Sequence, residues 1–277
     1  MTEPMRNGPQ FPVDAPQVQP PATGLVTLAR HPEVDADGRW RLGYGYRPEA
    51  PAGLIRNRSS VTSTIGANIG GANGPDVRVE VIPVMLTVED VNSTFGFKVT
   101  DEPGRARRLL EAYTSKLLAH ELWTGEIALE DDLPNPILAA GAAVVNVTPA
   151  GGPVAPQKGV ARLRQALSDG AMGDGMMHCS PYVGIQLPDA WRNENTLEQH
   201  GFVVVADAGY PGTGPNGEDG QWMYATEIVS VRLDEIVLVP EQLRESINTA
   251  SNTITYRAER VGAADFAGPV YACQIEA

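Results

Sequence analysis

The segment that most constrains this chain is TDEPGRARRLLEAYTSKLLAHELWTG, from Thr100 to Gly125, because it carries helix signals at both ends and a helical period between them. Thr100 or Asp101 supplies an N-cap, and Pro103 falls in the first turn, where a missing N–H costs nothing. Gly125 suits the left-handed conformation that stops a helix. Ala106, Leu109, Leu110, Tyr113 and Leu117 recur at helical spacing, and Leu118 and Leu122 widen the stripe. About six turns are predicted, with Arg105, Arg107, Arg108, Glu111 and Lys116 on the opposite face. Trp123 reads as a core or capping aromatic.

Around this helix the sequence reads mostly as strand and loop. Residues 1–19 carry Pro4, Pro9, Pro12 and Pro16 without a hydrophobic period, which predicts an extended arm. Trp40, Tyr44 and Tyr46 alternate in RWRLGYGYRP, and a Gly- and Asn-rich stretch from Ile65 leads into the β-branched run Val77, Val79, Val81, Val84, interrupted by a proline. Two extended runs about such a loop predict a long projecting hairpin. Further on, short helices are expected near 160–167 and 188–199. FVVVADA from Phe202 predicts a strand buried on both faces, and the alternation from Trp222 to Val239 predicts one long strand. A last strand runs from Thr253 to Phe266.

Composition removes several functions. The 277 residues are 42% hydrophobic, enough for a core, and carry a net charge of −13 with no basic run, which argues against a nucleic-acid-binding surface. Only Lys98, Lys116 and Lys158 are lysines, so the cations are nearly all arginine, which suits planar pairing with carboxylates. Cys179 and Cys273 match no metal or redox spacing and read as buried thiols in a reducing compartment. No signal-peptide pattern or apolar run of membrane-spanning length is present, so no membrane partner is expected. GTGPNG at Gly212–Gly217 satisfies the letter of a dinucleotide fingerprint but is followed by another strand rather than a helix, and reads as a loop. His31, His120, His178 and His200 show no ligand spacing, and no cofactor or metal is expected. A nucleophile pairing Cys179 with His120 or His200 remains open on spacing alone.

Arg105 to Gly125 resembles the spine helix of major capsid proteins of the Hong Kong 97 phage fold, shared with the encapsulin nanocompartments, and Ala250-SNTITYRAERVGAADFAGPVYA resembles the closing strand of that family. Gly175-MMHCSP, Gly201-FVVVADAGYPG and Gln221-WMYATEIVSVRL look like its axial-domain strands. The resemblance implies an α+β fold divided into an arm (1–38), an extended-loop hairpin with adjoining strands (39–99), a peripheral domain with the spine helix (100–150), an axial domain (151–238) and a return to the peripheral domain (239–277). The apolar stripe of the helix is then expected on the peripheral sheet.

It also implies a structural subunit, not an enzyme, that forms pentamers and hexamers of an icosahedral head enclosing double-stranded DNA. DNA is then contained without specific recognition, and scaffolding, portal and decoration proteins are separate partners. Assembly is expected in the host cytoplasm and residence in the virion. The family's lysine-dependent crosslink is not expected, because no lysine precedes Phe97. Candidate subunit contacts are Trp40, Tyr44, Tyr46, Arg56, Arg58, Arg105 and Arg108, types enriched at hot spots. Alternatives are an encapsulin-like shell, a head-completion or tail protein, and a Cys–His enzyme.

Overall fold

The computed structural model describes residues 18–33, 37–46, 55–58, 65–69, 79–93, 101–141, 144–170, 174–241 and 243–276. A short helix α1 (Leu25–Leu28) precedes strands β1 (Tyr44–Tyr46), β2 (Ile55–Arg58), β3 (Ile65–Ile69), β4 (Val79–Val81) and β5 (Val84–Ser93). The long helix α2 (Glu102–Thr124) and the short α3 (Glu126–Glu130) follow. Next come β6 (Val144–Asn146), α4 (Pro156–Gly170), β7 (Gly175–Cys179), α5 (Pro181–Gly184), α6 (Glu194–His200), β8 (Phe202–Ala206) and β9 (Gln221–Glu227). β10 (Ser230–Leu233), β11 (Val237–Val239), α7 (Leu243–Ser246), β12 (Ile247–Asn248), β13 (Thr253–Asp265) and β14 (Val270–Ile275) complete the order.

The ends of α2 are set as its sequence predicts. The Asp101 carboxylate accepts from the Gly104 amide at 2.9 Å, and Gly125 closes the helix at φ 62°. The buried surface is wider than one stripe. Ala106, Leu110, Leu118 and Leu122 are buried, but so are Ala112, Thr114, Ser115, Ala119, Glu121 and Trp123, while Tyr113 is exposed. The helix is covered on more than one side, by β5 and β13 and by α1. Glu121 is tolerated inside because its carboxylate accepts from the Ile127 and Ala128 amides at 2.9 Å each, capping α3.

In the first sheet β13 is central, antiparallel to β5 from Thr253↔Ser93 to Gly262↔Val84 and paired on its other edge with β10, β11 and β12. Val84 and Leu86 face inward to α2, whereas Met85 and Val91 are exposed, the period of two expected of a half-covered sheet. The second sheet runs β6-β14-β9-β7-β8, with β6 parallel to β14 and β7 parallel to β8. One face holds Met176, Val203, Val205, Trp222 and Tyr224 in the same core as α2. The other holds Met177, Val204, Met223 and Cys273 beneath Val160, Leu163 and Leu167 of α4. Both faces are covered, so these strands read as unbroken apolar runs.

Several expectations are corrected here. The run from Trp222 to Val239 is three strands, not one: β9 lies at the heart of the second sheet, and the chain crosses at Ile228-Val229 to place β10 and β11 in the first. The final strand β14, with β6, belongs to the second sheet, so neither 239–277 nor 100–150 lies wholly with the first. Trp40, expected on a strand with Tyr44 and Tyr46, sits in the single turn Arg39–Leu42 and is buried against Val81 and Ala263. Residues 25–30, expected within the extended arm, form α1 and a bridge from Arg30 to Ser230, with Leu25 fully buried. The helix expected at 160–167 extends over Pro156–Gly170, and the one at 188–199 is a 3-10 turn, Asp189–Arg192, followed by α6. The remainder of the arm, 1–17, lies outside the described residues. Of the expected hairpin, the two runs meet as β1 and β4, paired antiparallel through Tyr44↔Val81, and farther along the chain β2 pairs antiparallel with β3 through Ile55↔Ile69; residues 47–54, 59–64 and 70–78 lie outside the described residues.

Gly209 shows how closely the second sheet's loops approach the helix: a Cβ there would lie 2.1 Å from the Lys116 carbonyl oxygen and 2.8 Å from the His120 nitrogen. Both are helical backbone and cannot swing aside. Gly209→Ala is expected to lower stability by about 1–3 kcal/mol. Gly151→Ala, where a Cβ would meet nothing within 4 Å, is expected to leave it unchanged. Urea denaturation of the two variants side by side checks this, and equal midpoints would contradict it.

Candidate functional site

Tyr44 and Tyr46, two of the sequence candidates, converge on Asp265. In the antiparallel pair of β1 with β4 they stand two residues apart, so their side chains fall on one face of the ribbon. The Tyr46 hydroxyl donates to Asp265 Oδ1 at 2.7 Å, and the Tyr44 hydroxyl donates to Oδ2. Arg232 of β10 donates to the same Oδ2 at 2.7 Å, and its guanidinium lies 4.2 Å from the Tyr44 ring centroid. Asp265 is 2% exposed, and these donors satisfy the charge that burial would otherwise penalise. Burial, then the adjacent Asp265 anion, raises both tyrosine pKa values above the ordinary range. The cluster fastens the ribbon to the end of β13. Nearby, Arg41 grips Asp234 through Nε and Nη2 at 2.6 Å each.

A second buried carboxylate, Asp207, pairs with no cation among the described residues. Its Oδ2 accepts from the Leu25 amide at 2.8 Å and the Ser115 hydroxyl at 2.6 Å, and its Oδ1 accepts from the Gly209 amide at 2.8 Å. Ser115 Oγ in turn accepts from the Val26 amide at 3.1 Å. One side chain thereby joins α1, α2 and the end of β8. Trp123 extends this junction: its ring centroid lies 5.1 Å from Tyr210 and 4.7 Å from Tyr224, and Nε1 donates to Thr213 Oγ1 at 3.2 Å.

His178 lies in the same region, fully buried. Thr226 Oγ1 donates to the Glu227 carbonyl at 2.7 Å, so it accepts from His178 Nε2–H at 3.0 Å. Nδ1 then accepts from the Tyr210 hydroxyl at 2.8 Å, which fixes the neutral tautomer. Burial lowers the His178 pKa to about 3. Cys179 is equally buried, its thiol directed to the Val205 carbonyl and its pKa pushed up to about 12 by desolvation. His120 is bonded instead to the Gly209 carbonyl and the Glu126 carboxylate.

Of the remaining candidates, Arg105 pairs with Asp90 at 2.9 Å and donates to Asn92, and Arg108 pairs with the helix-capping Asp101. That contact and the Gly104 amide hold the Asp101 carboxyl below its usual range. Arg56 and Arg58 lie on β2, and their side chains are outside the described residues. Sequence reading missed Asp265, Arg232, Asp207 and Ser115. Asp265 is 221 residues from Tyr44 and Asp207 is 182 from Leu25, so no local pattern marks them. Among the described residues no group of three His, Cys, Asp or Glu side chains could hold a metal ion.

Two outcomes follow. Asp265→Asn is expected to destabilise the chain by about 3 kcal/mol, and Tyr46→Phe by about 1–3 kcal/mol in the parent but less in the Asp265→Asn background; additive losses would separate the two groups. For His178, a folded pKa of about 3 below an unfolded value of 6.5 means that stability is retained above the unfolded value and lost as pH falls below it. The expected slope is about 1.4 kcal/mol per pH unit for one proton, read from unfolding midpoints between pH 6.5 and 5, and flattened in His178→Gln.

No protein-family profile matches the chain, and no curated protein matches it in sequence. Its fold, however, matches solved structures along nearly its whole length. A capsid chain of an empty GTA particle covers 98% of this chain and 96% of its own, at 14% identity and a TM-score of 0.57. Chains of Mycobacterium phage Bobi (15% identity, TM-score 0.53) and Microbacterium phage Oxtober96 (13%, 0.51) cover the same shares. The two sheets, the helix between them and the fastened ribbon therefore make up the Hong Kong 97 fold of phage capsid subunits.

Proposed function

We propose that this chain is a major capsid protein, whose copies self-assemble as pentamers and hexamers into an icosahedral phage head enclosing double-stranded DNA. The observation that carries this reading is the near full-length likeness to the capsid chain of the GTA particle. A net charge of −13 fits a container that encloses DNA without gripping its phosphates. The role is structural rather than enzymatic. Cys179, the one nucleophile the sequence offered for a Cys–His pair, is fully buried with its thiol protonated.

In this reading the hairpin strands β2 and β3, with Arg56 and Arg58, and residues 1–17 reach neighbouring copies, and with no lysine before Lys98 the contacts are non-covalent. Trp40, Tyr44, Tyr46, Arg105 and Arg108 act from within, holding the ribbon and the start of α2 at a fixed angle for those contacts. The shell forms in the host cytoplasm and persists in the virion, with any scaffolding, portal or decoration protein supplied separately.

Purified protein, with a scaffolding protein supplied where the parent needs one, is expected to give polyhedral shells by negative-stain microscopy. Tubes or rings would favour a tail or connector protein. Monomers and dimers alone, across salt and pH, would reject the shell. Removing 1–17, and no further because Leu25 is core, is expected to abolish closed shells while leaving the circular dichroism and unfolding midpoint of the subunit unchanged.

A further inference from the structure

Arg260 differs from the arginines around it. Arg41, Arg105, Arg108, Arg192, Arg232 and Arg257 each pair with a carboxylate of their own chain. Arg260 pairs with none among the described residues. It stands opposite Leu86 on the helix side of β13, and its one hydrogen bond is from Nη1 to Thr114 Oγ1, at 3.4 Å. Its Nε is buried without a partner. Asp234 already holds Arg41, and Glu111, one turn away on α2, is exposed and not bonded to it. Desolvation lowers the Arg260 pKa, with Glu111 and Asp234 opposing it from a distance. A guanidinium partly withdrawn from water without a counter-ion is costly, and the usual resolution is a carboxylate.

The position is approachable. Arg260 as a whole is half-buried rather than sealed, so only part of its guanidinium is withdrawn from solvent, and the neighbouring backbone at Val261 is bonded to the turn at Asp234 rather than to a strand. The chain carries 34 acidic against 21 basic side chains, so a second copy presents a surplus of carboxylates to any cation left unpaired. We propose that Arg260 is a subunit-contact residue whose guanidinium receives an Asp or Glu side chain from a second copy of this chain. The proposal rests on the shell reading only in requiring two copies to meet. A nucleic-acid phosphate is the competing anion, disfavoured by the acidity of the molecule as a whole.

The test uses the full chain carrying Arg260→Lys, treated with a water-soluble carbodiimide, which converts a carboxylate to an O-acylisourea that an adjacent amine attacks to form an amide with release of the urea. The parent, whose side-chain amines are only Lys98, Lys116 and Lys158, treated in parallel supplies the background from which a link at position 260 is distinguished. Assembled variant protein is expected to give a covalent dimer band on a denaturing gel, linked by mass spectrometry from position 260 to an Asp or Glu of another copy, and absent from dissociated subunits. No link, or a link confined to Glu111 or Asp234 of the same chain, overturns the proposal. Arg260→Met guards against a folding defect. It is expected to leave the unfolding midpoint equal or higher while raising the concentration needed for assembly about tenfold. Unchanged assembly overturns the proposal, as does an effect seen only when DNA is enclosed, which would assign the site to phosphate. If the parent yields only small oligomers the shell reading fails, and the crosslink within those oligomers still decides the role of Arg260.

Discussion

Everything in this molecule depends on α2 being enclosed from two directions. On one side it packs on β5 and β13, and on the other it meets α1 and the loop that follows β8. A helix covered on one side needs an apolar stripe, and one covered on two needs small or self-satisfied residues elsewhere as well. Ala112, Ala119, Ser115 and Thr114 are therefore buried where a surface helix would carry charge, and Thr114 returns its hydroxyl proton to the Leu110 carbonyl at 2.7 Å. Gly209 follows from the same constraint, since any side chain there would occupy the space of the helix backbone. The two sheets are consequently parts of one packed body, and their core is continuous through Trp123, Tyr210 and Tyr224.

The two buried carboxylates hold this body together by different physics. Asp207 is stabilised by neutral donors, two amides and a hydroxyl, so salt has little to screen. Asp265 adds a full cation, Arg232, to two phenols and sits where the ribbon of β1 and β4 joins the sheet. The first fixes a junction inside the fold. The second fixes the direction in which the chain leaves it toward β2 and β3, and its strength depends on an ion pair in which Arg232 retains some exposure.

What was legible in the sequence was what short-range physics dictates. Asp101, Pro103 and Gly125 mark the ends of α2 by local capping chemistry, and the Phe202–Ala206 run shows a doubly covered strand by composition alone. The break at Ile228-Val229 was not legible, because alternation continues across it while the chain changes sheets. Trp40 was misplaced for a related reason. Aromatics at alternate positions signal a strand, yet Gly38 at φ 61° and Gly43 at φ 102° bound a single turn that turns the indole inward. The partners of Tyr44 and Tyr46 were beyond any local pattern, since only the fold brings β1 beside the end of β13.

The arginine surplus over lysine now has a structural account that composition alone did not supply. Among the described residues seven arginines close ion pairs inside the chain, several at the ends of elements: Arg41 beside the turn after β10, Arg105 and Arg108 at the start of α2, Arg232 at the root of the ribbon. Their planar donors fix orientation as well as charge, which a lysine ammonium does not do. Because these cations are neutralised within the subunit, the net charge of −13 is carried largely by solvated carboxylates, and copies approaching one another repel at long range. In the proposed shell, association is then driven at short range, where a cation left unpaired can meet a neighbour's carboxylate. Arg260, half-buried with an unpartnered Nε and no ion pair among the described residues, is the cation proposed to meet a neighbour's carboxylate, whereas Arg105 and Arg108 are already paired within the subunit.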